Sequence, residues 1–373
     1  MPPGKGGLEG IVVGKTSLSA IDGQAGRLSY RGYDIHDLAA HATFEETAHL
    51  LWHGRLPKRD ELSDLRARLA AERAIPTDFL PFLKNIAGRA SPMEALRTAT
   101  SALASYDGDR DRNEPQANLR KAIRLTAKYA TIIAAYHQLR TGHDPIPPRA
   151  DLSHAANFLY MLQGKEPDPE IARDFDVCLV LHVDHGFNAS TFSARVTAST
   201  LSDMHSAITS AVGTLKGPLH GGANEAVMHM LEDIGSADRA RDYVRTKLTE
   251  HAKIPGFGHR IYKTLDPRAV HLKDMSERLG RRSGNLRWYE MSTAIQKVMK
   301  EEKGLDANVD FYSASTYHSM GIPTDLFTPI FALARVAGWT AHVMEQLGDN
   351  RLIRPDAEYV GPVDQHYAPL EKR

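Results

Sequence analysis

Three short segments hold residue types that move protons, and each lies beside a glycine or proline turn. KGPLHGGAN (residues 216–224) carries His220, PGFGHRIYKTLDPRA carries His259 and Arg268, and NVDFYSAS carries Asp310. Two imidazoles and a carboxylate at such turns suit general acid–base chemistry. His220 stands just before a helix pattern, where the helix dipole disfavours imidazolium. A neutral imidazole there could polarise a carbonyl; it could equally satisfy local backbone groups. Gly217, Gly221 and Gly222 would leave room for a ligand beside it. His259 lies in a loop with two glycines and a proline around Phe257, which reads as a mobile cover over a site or simply as a turn. Asp310 sits between a polar stretch and the aromatic pair Phe311–Tyr312. A partly apolar niche raises a carboxyl pKa toward that of a working base. The plainer reading is a capping or salt-bridged aspartate.

Other residues could bind anions or metals. Arg335 interrupts the apolar run FALARVAGW. An arginine on such a face needs an anion, either a protein carboxylate or a carboxylate ligand held by the guanidinium fork. Arg268 and Arg354 are further candidates. His182 and His185 of HVDH are three apart and would share a face of a helix. A zinc pair is usually spaced four apart with a glutamate between, and no third ligand has signature spacing, so a hydrogen-bonding role in a polar cleft fits better. A metal-dependent hydrolase built on this pair is the reading from another enzyme class.

Helices must position these groups. SPMEALRTATSALASY, DPEIARDFDVCLVLHVDH and DPRAVHLKDMSERLG each open with a capping residue followed by Pro, the last predicted to end at Gly280. A helix is predicted from Thr324 to about Gly348, with a kink or late start at Pro329. Strand alternation is confined to GIVVGKTSLSAIDGQAGRLSYRGY. The polar stretch Tyr106–Gln116 reads as a solvent loop and Thr141–Arg149 as a Pro-rich connection. The fold class expected is therefore all-α with a small β element near the N-terminus. No Rossmann or P-loop glycine pattern is present.

Composition narrows the partners. Forty-six basic and 46 acidic residues cancel, so no global field calls for nucleic acid or membrane. One cysteine, Cys178, excludes an intrachain disulfide framework. No apolar run reaches membrane-spanning length and MPPGKGGLEG has no signal-peptide core, so a cytoplasmic setting is expected.

GPLHGGAN, PGFGHRIYKTLDPRA, NVDFYSAS and NRLIRP, in this order, with IDGQAGRLSYRGYDI and LHVDHGFNAS upstream, resemble the citrate synthase family over nearly the whole chain. The resemblance implies an all-α homodimer of the shorter branch, with a large domain (1–221 together with 322–373) and a small one (222–321). It implies condensation of acetyl-CoA with oxaloacetate and hydrolysis to citrate and CoA, with CoA as co-substrate, no permanent cofactor and no metal. In that reading Asp310 is the base, and His220 bonds the thioester carbonyl. His259 and His185 serve oxaloacetate, whose carboxylates Arg268 and Arg335 hold, while Arg354 is donated across the dimer. Pro255, Gly256, Phe257, Gly258, Lys263 and Asn308 match CoA contact positions. Synthases of 2-methylcitrate, which use propionyl-CoA, share all these motifs.

Overall fold

The computed structural model describes residues 7, 8 and 10–373; the rest of the stretch read for a signal peptide lies outside them. Alternating short segments around a DG turn give one antiparallel sheet, β1 (Ser19–Asp22), β2 (Arg27–Tyr30) and β3 (Tyr33–Asp34), in the order β1-β2-β3. Ser19 faces Tyr30 and Asp22 faces Arg27, which places the β1–β2 turn at Gly23–Gly26.

The other long elements among the described residues are helices. The first half holds α1 (Ile35–His41), α2 (Phe44–His53), α3 (Arg59–Ala71), α4 (Phe79–Ala87), α5 (Pro92–Leu103), α6 (Pro115–Arg140), α7 (His154–Gln163) and α8 (Pro169–His182). The second holds α9 (Ala189–Ser199), α10 (Met204–Leu215), α11 (Ala223–Ile234), α12 (Ala240–Thr249), α13 (Pro267–Ser283), α14 (Arg287–Lys303), α15 (Val309–Ser319) and α16 (Phe327–Gly348). The expected starts hold. Ser91 closes a capping box with Glu94, and the Asp168 and Asp266 carboxylates accept from backbone N–H groups of the first turn. Helix α16 does start late, after a short 3-10 turn at Thr324–Leu326. Pro329 then falls in its first turn, where no intrahelical N–H bond is lost.

Two expectations change. Helix α13 continues past Gly280 to Ser283, because a single interior glycine costs only about 1 kcal/mol; Gly284, at φ 68°, ends it. The stretch Tyr106–Gln116 is not a free solvent loop. The Asp107 carboxylate is buried beneath Arg124 at 2.6 Å, Asp109 pairs with Arg120 at 2.6 Å, and α6 already begins at Pro115.

Helix α16 is buried on nearly every side from Phe327 to Val343, so it forms the axis of the apolar cluster that takes in α5–α10. Burying Arg335 in that helix, at 1% exposure, is the largest local exception to its apolar character. No helix among the described residues is long and apolar enough to cross a membrane.

Candidate active site

Asp310 owes its place to a cap. The Asn308 side chain accepts from the Asp310 backbone N–H at 3.0 Å, which starts α15 with Asp310 in its first turn. The same Asn308 side chain donates to the Gly258 carbonyl at 3.0 Å, and its backbone N–H donates to the Gly256 carbonyl at 2.9 Å. The loop Pro255–Gly258 is thereby tied to the start of α15, and Phe257 packs on Phe311 with ring centroids 4.5 Å apart. The Asp310 carboxylate has no protein hydrogen-bond partner among the described residues and is partly exposed. Burial, reinforced by Asp266 and opposed by Arg268 and Arg335, raises its pKa to about 6.

His259 follows the same loop. Its Nδ1 accepts from the backbone N–H groups of Ile261 at 3.0 Å and Tyr262 at 3.1 Å. The proton of the neutral ring is therefore on Nε2. Burial, helped by Arg268, lowers its pKa to about 4. The segment is held from below, where the Lys263 N–H donates to the Gly23 carbonyl of the β1–β2 turn at 2.9 Å. Lys263 itself is exposed.

His182 and His185 do not share a helix face. Helix α8 ends at His182, and the chain turns through Val183 and Asp184. Asp184 anchors the turn: its carboxylate accepts from Ser19 Oγ at 2.5 Å and the Gly186 N–H at 3.3 Å, and lies 3.0 Å from His342 Nε2. His182 turns into the core, with Nδ1 2.7 Å from the Cys178 carbonyl. His185 instead faces His259, with ring centroids 5.3 Å apart, and its Nε2 lies 3.1 Å from the Tyr262 hydroxyl. Burial, with Arg268 and His259 adding to it, holds His185 well below the usual histidine range. Among the described residues no group of three His, Cys, Asp or Glu is placed to hold a metal ion.

His220 sits in the turn between α10 and α11. Its Nε2 accepts from the Ser190 backbone N–H at 3.3 Å and lies 2.8 Å from the Ser190 hydroxyl, which Trp339 Nε1 also approaches at 3.2 Å. Burial, with Arg335 second, takes its pKa to about 4. Gly221 serves the backbone rather than a ligand, since a Cβ there would collide with the Leu215 carbonyl, whereas the space beside Gly222 is open.

The two inner arginines differ. Arg268, 2% exposed, is held by Asp266 through Nε at 2.9 Å and Nη2 at 2.7 Å, leaving Nη1 without a protein partner among the described residues. Arg335 donates Nε to the His182 carbonyl at 2.7 Å, and its guanidinium lies over the Phe331 ring at 4.6 Å. No carboxylate pairs with Arg335 among the described residues, and burial lowers its pKa to about 10. Arg335 lies within electrostatic reach of Asp310, His185 and His220; Arg268 lies within reach of Asp310, His185 and His259. The two guanidinium groups thus link all four proton-handling residues. Arg354 is apart from them, in the extended C-terminal segment, 76% exposed and 3.7 Å from Asp356.

Sequence reading misses Ser190, Tyr262 and the pairing of Asp266. Tyr262 lies three residues after His259 inside a motif that stands out for other reasons, whereas nothing local marks Ser190 as a partner of a turn thirty residues away.

Neutral histidines that offer one N–H, a carboxylate poised near neutrality and a buried cation without an anion can take a carbon acid's proton beside a carboxylate ligand. Comparison with known proteins decides the family. The family model described as "Citrate synthase, C-terminal domain" matches residues 7–356. The chain belongs to the citrate synthase family. It is 52% identical to "Citrate synthase 2" of Bacillus subtilis over 98% of both chains. It is 45% identical to a protein named 2-methylcitrate synthase from Shewanella oneidensis, over 98% of this chain and 97% of that one. Among solved structures, citrate synthase from Pyrobaculum aerophilum superposes with a TM-score of 0.93 at 41% identity, covering 98% of this chain and 94% of that one. A ternary complex of the Thermoplasma acidophilum citrate synthase with carboxymethyl coenzyme A and oxaloacetate superposes equally, at 0.93 and 32% identity over 98% of each chain. The citrate synthase family fold thus accounts for the helical architecture and its small N-terminal sheet.

Proposed function

We propose that the chain condenses acetyl-CoA with oxaloacetate and hydrolyses the resulting thioester, giving citrate and CoA. The observation that carries this reading is Arg335: a guanidinium 1% exposed, with no carboxylate partner among the described residues, within reach of the His185 and His220 imidazoles and the Asp310 carboxylate. Leaving a buried cation unpaired is expensive unless a ligand anion completes it. Oxaloacetate, a dianion, supplies one carboxylate to Arg335 and one to the free edge of Arg268.

The proton inventory fits the chemistry. The Asp310 carboxylate removes a proton from the thioester methyl group. His220, which accepts at Nε2, offers Nδ1–H to the thioester oxygen as it gains charge. The nucleophilic carbon then bonds to the ketone carbon of oxaloacetate, while His259 offers Nε2–H to the ketone oxygen. Water cleaves the citryl thioester and releases CoA. Each proton-transfer or oxyanion contact is worth roughly 10²–10⁴-fold, so the base and the donor are needed together.

The reading extends to a large unit (1–221 with 322–373) and a small unit (222–321) that close over the substrates about the Gly217–Gly222 turn. It also includes CoA seated against Pro255, Gly256, Phe257, Gly258, Lys263 and Asn308, and a cytoplasmic homodimer in which Arg354 of the partner subunit completes the site. The exposure of Arg354 within one chain supports that last assignment.

The test is CoA release measured with acetyl-CoA and with propionyl-CoA at matched oxaloacetate. Faster release from acetyl-CoA is expected. Preference for propionyl-CoA would move the chain to 2-methylcitrate formation, and no release from any acyl-CoA with any 2-oxo acid would overturn the condensing reaction.

A further inference from the structure

Tyr262 joins both histidines assigned to oxaloacetate. Its backbone N–H donates to His259 Nδ1 at 3.1 Å, and its hydroxyl lies 3.1 Å from His185 Nε2. Its ring packs on both, with centroids 4.7 Å from His259 and 5.5 Å from His185. The residue is 3% exposed. It is carried by the segment that Lys263 fastens to the β1–β2 turn, whereas His185 is carried by the turn that Asp184 fastens to Ser19 and His342. The Tyr262–His185 contact therefore spans two separately anchored pieces of chain.

We propose that Tyr262 is a positioning residue that donates its hydroxyl proton to His185 Nε2 and so fixes His185 with its proton on Nδ1, ready to donate to the substrate. This rests on the reaction proposed above. A neutral imidazole has one donor and one acceptor nitrogen, so the partner of one nitrogen decides the role of the other. Two arrangements satisfy the contact. If His185 donated from Nε2, the Tyr262 O–H would be left without an acceptor, because no other acceptor approaches it among the described residues. If Tyr262 donates, its O–H is satisfied and the His185 ring proton lies on Nδ1, where a ketone or carboxylate oxygen would need it. Burial and the Arg268 guanidinium also favour neutral imidazole at His185. With His259 set to Nε2–H by the two backbone donors, Tyr262 thus orders both rings, one through its main chain and the other through its side chain.

Tyr262→Phe tests this, since it keeps the ring packing and the backbone N–H and removes only the hydroxyl. The full-length enzyme is labelled with ¹⁵N-histidine, and the His185 signals are assigned by difference from His185→Ala. Expected are an unprotonated Nε2 and a protonated Nδ1 at His185 in the parent, and a mixture of tautomers in Tyr262→Phe. The KM for oxaloacetate should rise about tenfold, the equivalent of one hydrogen bond, with the KM for acetyl-CoA unchanged. A His185 proton found on Nε2 in the parent overturns the proposal. So does an unchanged tautomer in Tyr262→Phe, or an altered tautomer with unaltered oxaloacetate kinetics. A parent enzyme inactive in condensation would remove the reaction itself, while the resonance measurement would still decide the hydrogen bond.

Discussion

The Ser190 backbone N–H points at His220 Nε2 from 3.3 Å, and this one bond assigns the proton of His220 to Nδ1. The helix that bears Ser190, α9, is started by the Asn188 side chain, which accepts from the Thr191 N–H at 3.1 Å. A cap far upstream thus determines which nitrogen of the imidazole can meet a substrate. Replacing His220 by Ala removes that donor and leaves Asp310 in place. Exchange of the acetyl-CoA methyl protons with solvent should slow by about 10²–10³-fold, the usual loss of one oxyanion donor. Exchange at the parent rate would take His220 out of enolisation.

The pH profile should have an acid limb that belongs to Asp310. Its carboxyl must be ionised to act as a base, and its pKa is raised to about 6, so kcat/KM should fall as pH drops through that value. His220 and His259, at about 4, stay neutral throughout this range and contribute no limb there. The sign for stability is the reverse. A carboxyl whose folded pKa is raised favours folding below its unfolded value, near 3.8, and that contribution is lost as pH rises through about 6. Asp310→Asn should therefore lose the acid limb and have a higher Tm than the parent at pH 7.5. A lower Tm there, or an unchanged limb in a residually active variant, would contradict the assignment.

Arg335 is positioned to bind rather than to stabilise. Removing a partner from a desolvated charge pair costs roughly 2–5 kcal/mol, so Arg335→Met should weaken oxaloacetate binding by that amount. The fold should survive, because a buried cation without a carboxylate contributes little and Met fills similar space. Arg335→Lys keeps the charge but not the fork, and should weaken oxaloacetate more than CoA. Calorimetric titration of each ligand checks both variants, and equal weakening of the two ligands would refute the role.

Much of the site can be read from the chain because its residues stand beside glycines and prolines that local rules interpret. His220, His259 and Asp310 stand out that way, and Arg335 by its conflict with an apolar helix. Helix starts at Ser91, Asp168 and Asp266 are legible from capping chemistry. What local rules do not supply is contact between distant segments. The periodicity of α8 runs past its end, so HVDH looks like one helical face until the Asp184 anchor to Ser19 and His342 shows why the chain turns there. Gly221 looks like space for a ligand, whereas the Leu215 carbonyl occupies that space. The Asp107 and Asp109 pairs make an apparent solvent loop part of the body for the same reason: Arg120 and Arg124 come from the following helix.

The central claim is that Asp310 is the base that takes a proton from the acyl thioester. The most direct measurement is turnover and oxaloacetate affinity of Asp310→Asn beside the parent enzyme. The account predicts turnover lower by about 10²–10⁴-fold with oxaloacetate affinity retained. Near-parental CoA release by Asp310→Asn would contradict it.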